Sequence, residues 1–304
     1  MGAFYGPKDW GHLLTAMLTP FRADGTVNYD EAARLAAYLV DVQKNDGIVV
    51  NGTTGESPTL KGDEKFQLLD TVLKAVGNRA AVVFGAGTYS TEESIHNTRE
   101  AEKRGAHGIM LVNPYYNRPG QQGLYAHFST VARQTGLPVM LYNIMPRSAI
   151  NLETPTLMRL AEIPNVVAVK EASGNIGQIS DVCAQAPEGF RVYSGDDALT
   201  LPILSVGGHG IVSVTAHVVG REIKQMLSAF QADSSAATAI HKRLIGLTKA
   251  IFSAPSPAPI KFATSLAGFD CARLRLPLVE LTEEEQAIVS KAVAPFLQPA
   301  GALV

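Results

Sequence analysis

Eight short, apolar, β-prone runs recur along this chain, and between them stand segments with the spacing of amphipathic helices. The runs are Leu13–Phe21, Gly47–Thr53, Ala80–Gly85, Gly108–Asn113, Pro138–Tyr142, Val166–Lys170, Arg191–Ser194 and Gly210–Thr215. Several are continuous rather than alternating, as in Val166-Val167-Ala168-Val169. A strand with one wet face alternates and a strand covered on both faces does not, so these runs belong to a parallel sheet. Ala32, Leu35, Ala36, Leu39 and Val40 share one face of a helix over Tyr29–Val42. Phe66, Leu69, Val72 and Leu73 do the same over Asp63–Val76, where Asp63 and Glu64 suit the positive N-terminal end. Thr91–Arg104 and Gly123–Thr135 follow the same pattern. Eight strand–helix units joined by right-handed crossovers close into an α/β fold of the (β/α)8 TIM-barrel type. An open doubly wound sheet would want a Gly-rich phosphate turn after its first strand, and this chain has Thr19-Pro20-Phe21 there.

Beyond the eighth run the chain is helical, over Arg221–Gln231, Ala236–Phe252, Pro259–Leu266 and Glu283–Phe296, with a Pro-rich break at Ser253–Pro259. This sets the barrel at residues 1–230 and a C-terminal helical extension, packed on it, at 231–304. The length of 304 residues suits such an arrangement. Charged residues are 18% of the chain, against about 25% in an average globular protein, which suits a compact body or an oligomer. A net charge of −2 gives no electrostatic case for nucleic acid or an anionic membrane. No apolar run reaches the roughly 18 residues of a span, and Met1–Trp10 shows no basic-then-apolar leader. Cys183 and Cys271 are too few and too distant for a disulfide framework or a zinc set, and free thiols point to a reducing cytoplasm. The scattered histidines lack metal-ligand spacing, so no metal is expected.

A barrel gathers its chemistry at the C-terminal ends of its strands. Lys170 closes the apolar run on strand six. Desolvation there disfavours the ammonium, and a neutral amine attacks a ketone to give a Schiff base; a lysine paired with Glu171 is the alternative. Tyr142, Tyr116 and Thr53 bring three hydroxyls and no histidine to neighbouring strand ends, as a proton relay or as rim packing. Gly52 and Gly55 bracket Thr53-Thr54 in a turn whose N–H groups can face a carboxylate, or which is simply a tight connection. Asp196-Asp197 lack a third ligand for a metal and suit a cap or a backbone bond.

Gly52-Thr53-Thr54-Gly55-Glu56, Tyr142-Asn143, Val169-Lys170-Glu171 and Ser194-Gly195-Asp196-Asp197, in that order and spacing, resemble the dihydrodipicolinate synthase / N-acetylneuraminate lyase family from about Leu13 to Phe269. The resemblance implies a pyruvate imine on Lys170 with no further cofactor and Tyr142 as its proton shuttle. It implies Thr53 as the link to Tyr116, which crosses a tight dimer interface within a homotetramer, a dimer of dimers. It also implies Thr54 as the carboxylate cradle, with Gly195 and Val212 lining the substrate. Lyases of the family usually have Gly-Ser-Thr-Gly-Glu and no arginine at position 147. Thr53-Thr54 and Arg147 match the synthases, whose second substrate, L-aspartate 4-semialdehyde, offers a carboxylate that a guanidinium grips. A pyruvate aldolase for a sugar acid and a non-catalytic keto-acid-binding paralogue are the other readings. Synthases commonly read Tyr-Asn-Val/Ile-Pro-x-Arg. Here Tyr142-Asn143-Ile144-Met145-Pro146-Arg147 displaces the proline by one residue, which reshapes the loop. The positions matching the family's lysine-effector site are Ser57, Pro58, Gly62, Lys65, Tyr89, Glu93 and Tyr115. Lys65 would repel a cationic effector unless it points to solvent, and weak inhibition by lysine is expected.

Overall fold

The structure is a computed structural model that describes residues 10–297. The leader reading of Met1–Trp10 falls, Trp10 apart, outside the described residues, as does the end of the 231–304 segment. In chain order the elements are β1 (Leu13–Ala16), α1 (Tyr29–Asp41), β2 (Gly47–Val50), α2 (Gly62–Val76), β3 (Ala81–Gly85), α3 (Thr91–Lys103), β4 (Gly108–Val112) and α4 (Gln121–Ala132). There follow β5 (Val139–Asn143), α5 (Met145–Ser148), α6 (Thr154–Ala161), β6 (Val166–Glu171), α7 (Ile176–Gln185), β7 (Arg191–Ser194), α8 (Thr200–Ser205) and β8 (Gly210–Ser213). The last helices are α9 (Ala216–Ala232), α10 (Ser234–Ile251), α11 (Ala258–Leu266) and α12 (Glu283–Val293). The strands form one closed parallel barrel in the order β1 to β8. Every strand is almost wholly buried, as the continuous apolar runs require.

Three strands end two or more residues earlier than the apolar runs suggest. β1 stops at Ala16 rather than Phe21: the Leu18 N–H turns to His217 Nε2, Pro20 has no N–H to give, and Phe21 bridges Val27. β2 stops at Val50, where Asn51 turns into the left-handed region with φ 60°. β8 stops at Ser213, whose hydroxyl accepts the Ala216 N–H and opens α9 five residues before the expected start at Arg221.

The described residues before Leu13, with Ala81–Val212, form one compact unit; Leu13–Ala80 and the residues from Ser213 onward form a second. In the first, β3 to β8 pair in parallel with helices between them. Trp10 is buried in this unit and donates its indole N–H to the His107 carbonyl. In the second, β1 pairs with β2 and α1 packs on α2, while α9 packs on α10 and α11 on α12. A buried ion pair between Glu56 and Lys261 ties the turn after β2 to α11. Arg275 grips both Glu64 oxygens, at 2.7 and 2.6 Å, and its backbone N–H donates to Glu56 at 3.0 Å.

Candidate active site

β5 and β6 place two side chains in register, Tyr142 beside Lys170, and one step on Asn143 beside Glu171. Because successive strand residues point to opposite faces, Lys170 and Tyr142 share one face while Glu171 and Asn143 share the other. The expected alternative for Lys170, a pair with Glu171, is therefore ruled out. Glu171 accepts from Asn143 Nδ2 at 3.1 Å and from the Ser173 hydroxyl at 2.9 Å.

Lys170 is buried, and its Nζ stands 4.1 Å from the centre of the Tyr142 ring. Burial pushes its pKa down from 10.5 to about 7; the nearby Arg147 charge acts in the same direction, and Asp197 opposes both. Near neutral pH a large share of the amine is thus unprotonated. Gly195 makes room for this side chain: a Cβ there would lie 2.8 Å from Lys170 Cε and 2.9 Å from Ala172 Cβ. The Gly195 N–H donates to the Glu171 carbonyl at 2.7 Å, which carries the β6–β7 pairing past the end of β7. Asp196 caps the following turn through the Ala198 N–H at 2.8 Å, the backbone role anticipated for it. Asp197 is buried and faces Lys170 electrostatically. Among the described residues no group of three or more His, Cys, Asp or Glu side chains is arranged to hold a metal ion.

Lys170 thus stands at the end of strand six as a buried amine over the Tyr142 ring. The dihydrodipicolinate synthetase family model matches residues 9–295. The chain belongs to this family. It is 53% identical over 285 residues to a 4-hydroxy-tetrahydrodipicolinate synthase of Moorella thermoacetica, covering 93% of this chain and 97% of that one. A dihydrodipicolinate synthase of Cyanidioschyzon merolae, solved with lysine bound, is 43% identical with a TM-score of 0.92, covering 94% of this chain and 97% of that one. A chloride-inhibited synthase of Acinetobacter baumannii, solved with pyruvate, is 32% identical with a TM-score of 0.91, covering 94% and 98%.

Arg147 lies exposed on α5, a single turn in which Pro146 occupies the first helical positions, where a missing N–H costs nothing. The displaced proline thus starts a helix. Tyr116 is 93% exposed and holds φ 72°, a conformation that a bulky side chain adopts only when something fixes it. Val212 is fully buried on β8. Thr54 is buried and Thr53 half-buried in the turn after β2, closed by the Gly55 N–H to the Gly52 carbonyl at 3.1 Å and Glu56 to Thr53 at 3.1 Å. A Cβ on Gly55 would lie 3.1 Å from the Met17 carbonyl oxygen and 3.3 Å from the Thr19 hydroxyl, both tight contacts.

Of the effector positions, Tyr89, Glu93 and Tyr115 lie together. The two rings meet edge-on at 5.4 Å, and burial, with Glu93 beside it, raises the Tyr115 pKa. Ser57 and Pro58 follow the turn after β2, and Gly62 opens α2. Lys65 is buried, so the reading that it points to solvent is corrected. Its position on α2 faces inward with Phe66, Leu68 and Leu69.

Sequence reasoning missed a polar network behind the amine. Asn113, Asn143 and Glu171 are all fully buried, and Asn113 Nδ2 donates to Asn143 Oδ1 at 2.9 Å. The pairing depends on strand register, which no local pattern displays.

Proposed function

We propose that this chain catalyses the 4-hydroxy-tetrahydrodipicolinate synthase reaction of the diaminopimelate and lysine pathway, as a Schiff-base lyase joining pyruvate to L-aspartate 4-semialdehyde. The observation that carries it is the Lys170 amine: buried, with a pKa of about 7, and set over Tyr142. Lys170 Nζ attacks the pyruvate ketone, and loss of water leaves an imine, which is the only cofactor-like group required. Tyr142 passes the protons of that step through its hydroxyl. Loss of a proton from the pyruvate methyl gives an enamine, whose carbon attacks the aldehyde carbonyl and leaves a hydroxyl there. The aldehyde's own amine then displaces Lys170 and closes a six-membered ring bearing two carboxylates.

By the family's pattern Thr53 links Tyr142 to Tyr116 and the Thr54 turn takes the pyruvate carboxylate. Gly195 and Val212 line the substrate, and Arg147 takes the aldehyde's carboxylate. The exposure and strained backbone of Tyr116 support a homotetramer in which this tyrosine completes a partner's site. Among the described residues no helix is long and apolar enough to cross a membrane. Cys183 and Cys271 are free thiols, which supports a cytoplasmic setting.

Treatment with pyruvate and borohydride, followed by peptide mass analysis, should place one pyruvate-derived mass on Lys170. Label on another lysine overturns the mechanism. No label would leave a keto-acid-binding protein. Turnover of a 2-keto-3-deoxy sugar acid in preference to aspartate semialdehyde would move the chain to the aldolase reading.

A further inference from the structure

Glu171, the chain neighbour of the nucleophile, is a buried titratable group to which the mechanism gives no role. Glu171 is fully buried, and the hydrogen bonds that its oxygens accept come from neutral groups. A carboxyl group buried without a cation is costly unless its neighbours satisfy it. Its neighbours do. Asn143 Nδ2 donates to Oε1 at 3.1 Å and to Oε2 at 3.4 Å, and the Ser173 hydroxyl donates to Oε2 at 2.9 Å. Asn143 is held in turn: its Oδ1 accepts from Asn113 Nδ2 and from the Leu152 N–H, both at 2.9 Å, and its Nδ2 reaches Asn151 Oδ1 at 2.9 Å. The strand ends are stitched at the same level, by the Asn113 N–H to the Tyr142 carbonyl at 3.0 Å and the Ala172 N–H to the Asn143 carbonyl at 2.9 Å.

Each clamp residue is the chain neighbour of a reacting one: Asn143 follows Tyr142, and Glu171 follows Lys170. The cross-strand pair Asn143–Glu171 therefore fixes, one residue further on, the register that sets Lys170 beside Tyr142. A slip of one residue in β6 would turn Lys170 to the other face, away from Tyr142. We infer that Asn143 and Glu171 are positioning residues that hold the Lys170 amine over Tyr142, with Glu171 acting through its hydrogen bonds and not through its charge. The inference rests on the Schiff-base reading above. Burial raises the Glu171 pKa, consistent with a group that serves as a hydrogen-bonding partner rather than a counter-ion.

The test compares Glu171→Gln with Glu171→Leu in the full-length protein, reading the rate of borohydride trapping at saturating pyruvate and its pH midpoint. The isosteric amide keeps an acceptor for Asn143, so Glu171→Gln should trap at close to the wild-type rate with its midpoint still near pH 7. Glu171→Leu frees the clamp. A misplacement of about 1 Å costs up to about a hundredfold, so its trapping rate should fall by at least about tenfold. If Glu171→Leu does not fold, Glu171→Ala, whose cavity admits water to the freed donors, is read in its place with the same expectation. The proposal is overturned if a folded apolar variant keeps the wild-type rate, or if Glu171→Gln loses as much as Glu171→Leu. It is overturned too if neither apolar variant folds, since the clamp would then serve the fold alone. An adduct absent from the wild-type protein would instead sink the reaction assigned to Lys170.

Discussion

At the scale of single residues, the site depends on one amine kept out of water. Lys170 must be neutral to attack, and burial brings its pKa to about 7. Trapping by pyruvate and borohydride should therefore rise with pH through a midpoint near 7, where an exposed lysine would rise only near 10. A midpoint above 9 would mean that the amine is solvated. Gly195→Ala is the second residue-scale prediction. Its Cβ would press on Lys170 Cε at 2.8 Å and Ala172 Cβ at 2.9 Å. Lys170 can yield but Ala172 Cβ moves only with its backbone, so trapping should slow by about tenfold or more and thermal stability should fall as well. A variant that traps normally would show that the lysine has slack. The identity of these residues was legible in the sequence, because Lys170 ends a continuous apolar run and Gly195 sits in a recognisable motif. The role of Glu56 in the same set of motifs was not. Its partner Lys261 lies 205 residues away, and the pair forms only when the chain has folded.

At the scale of elements, strands were easier to read than their ends. All eight apolar runs became strands, since burial on both faces leaves an unbroken hydrophobic signature. The overshoots at Phe21, Thr53 and Thr215 are polar or proline-containing strand exits, whose residues are apolar enough to extend a run but have no ladder partner. Short helices gave little signal: α5 has four residues and α8 six, too few for a 3.6-residue period to repeat. α5 nonetheless carries Arg147. Arg147→Ala should impair use of aspartate semialdehyde far more than formation of the pyruvate adduct. Loss of a charge-assisted contact is worth roughly 1.5–3 kcal/mol, about ten- to a hundredfold in kcat/KM. Equal damage to both steps would make Arg147 a support of the loop. Arg147 also contributes to lowering the Lys170 pKa, so its removal should move the trapping midpoint slightly upward. Tyr116→Phe should slow turnover without loss of thermal stability, because the ring is exposed and its volume is kept.

At the scale of the whole molecule, acid should be the condition that this fold tolerates least, and two histidines make the sign clear. His217 is fully buried: its Nε2 accepts the Leu18 N–H at 3.1 Å and its Nδ1 bonds the Val214 carbonyl at 2.8 Å. His127 is buried with Nδ1 2.9 Å from the Thr91 hydroxyl, and its Nε2 has no partner. Burial pushes both from 6.5 to about 4. Well above pH 6.5 neither the folded nor the unfolded chain protonates these rings. As pH falls from 6.5 toward 4, the unfolded chain takes up protons that the folded chain refuses, so stability falls through that window. Each unmatched proton contributes about 1.4 kcal/mol per pH unit. Glu171 and Asp196 act in the opposite sense, because raised pKa values let the folded chain protonate first. Glu64, held low by Arg275, adds a further loss as pH falls through the ordinary carboxylate range and below it. The histidine share can be isolated with His217→Gln, whose amide can both accept from Leu18 and donate toward Val214. Its stability, measured by urea titration at each pH, should lose about 1.4 kcal/mol per unit less than the wild type between pH 6 and 4.5. Parallel slopes for the two proteins would mean that His217 is already protonated in the folded state, or that its ring opens to water before the fold does.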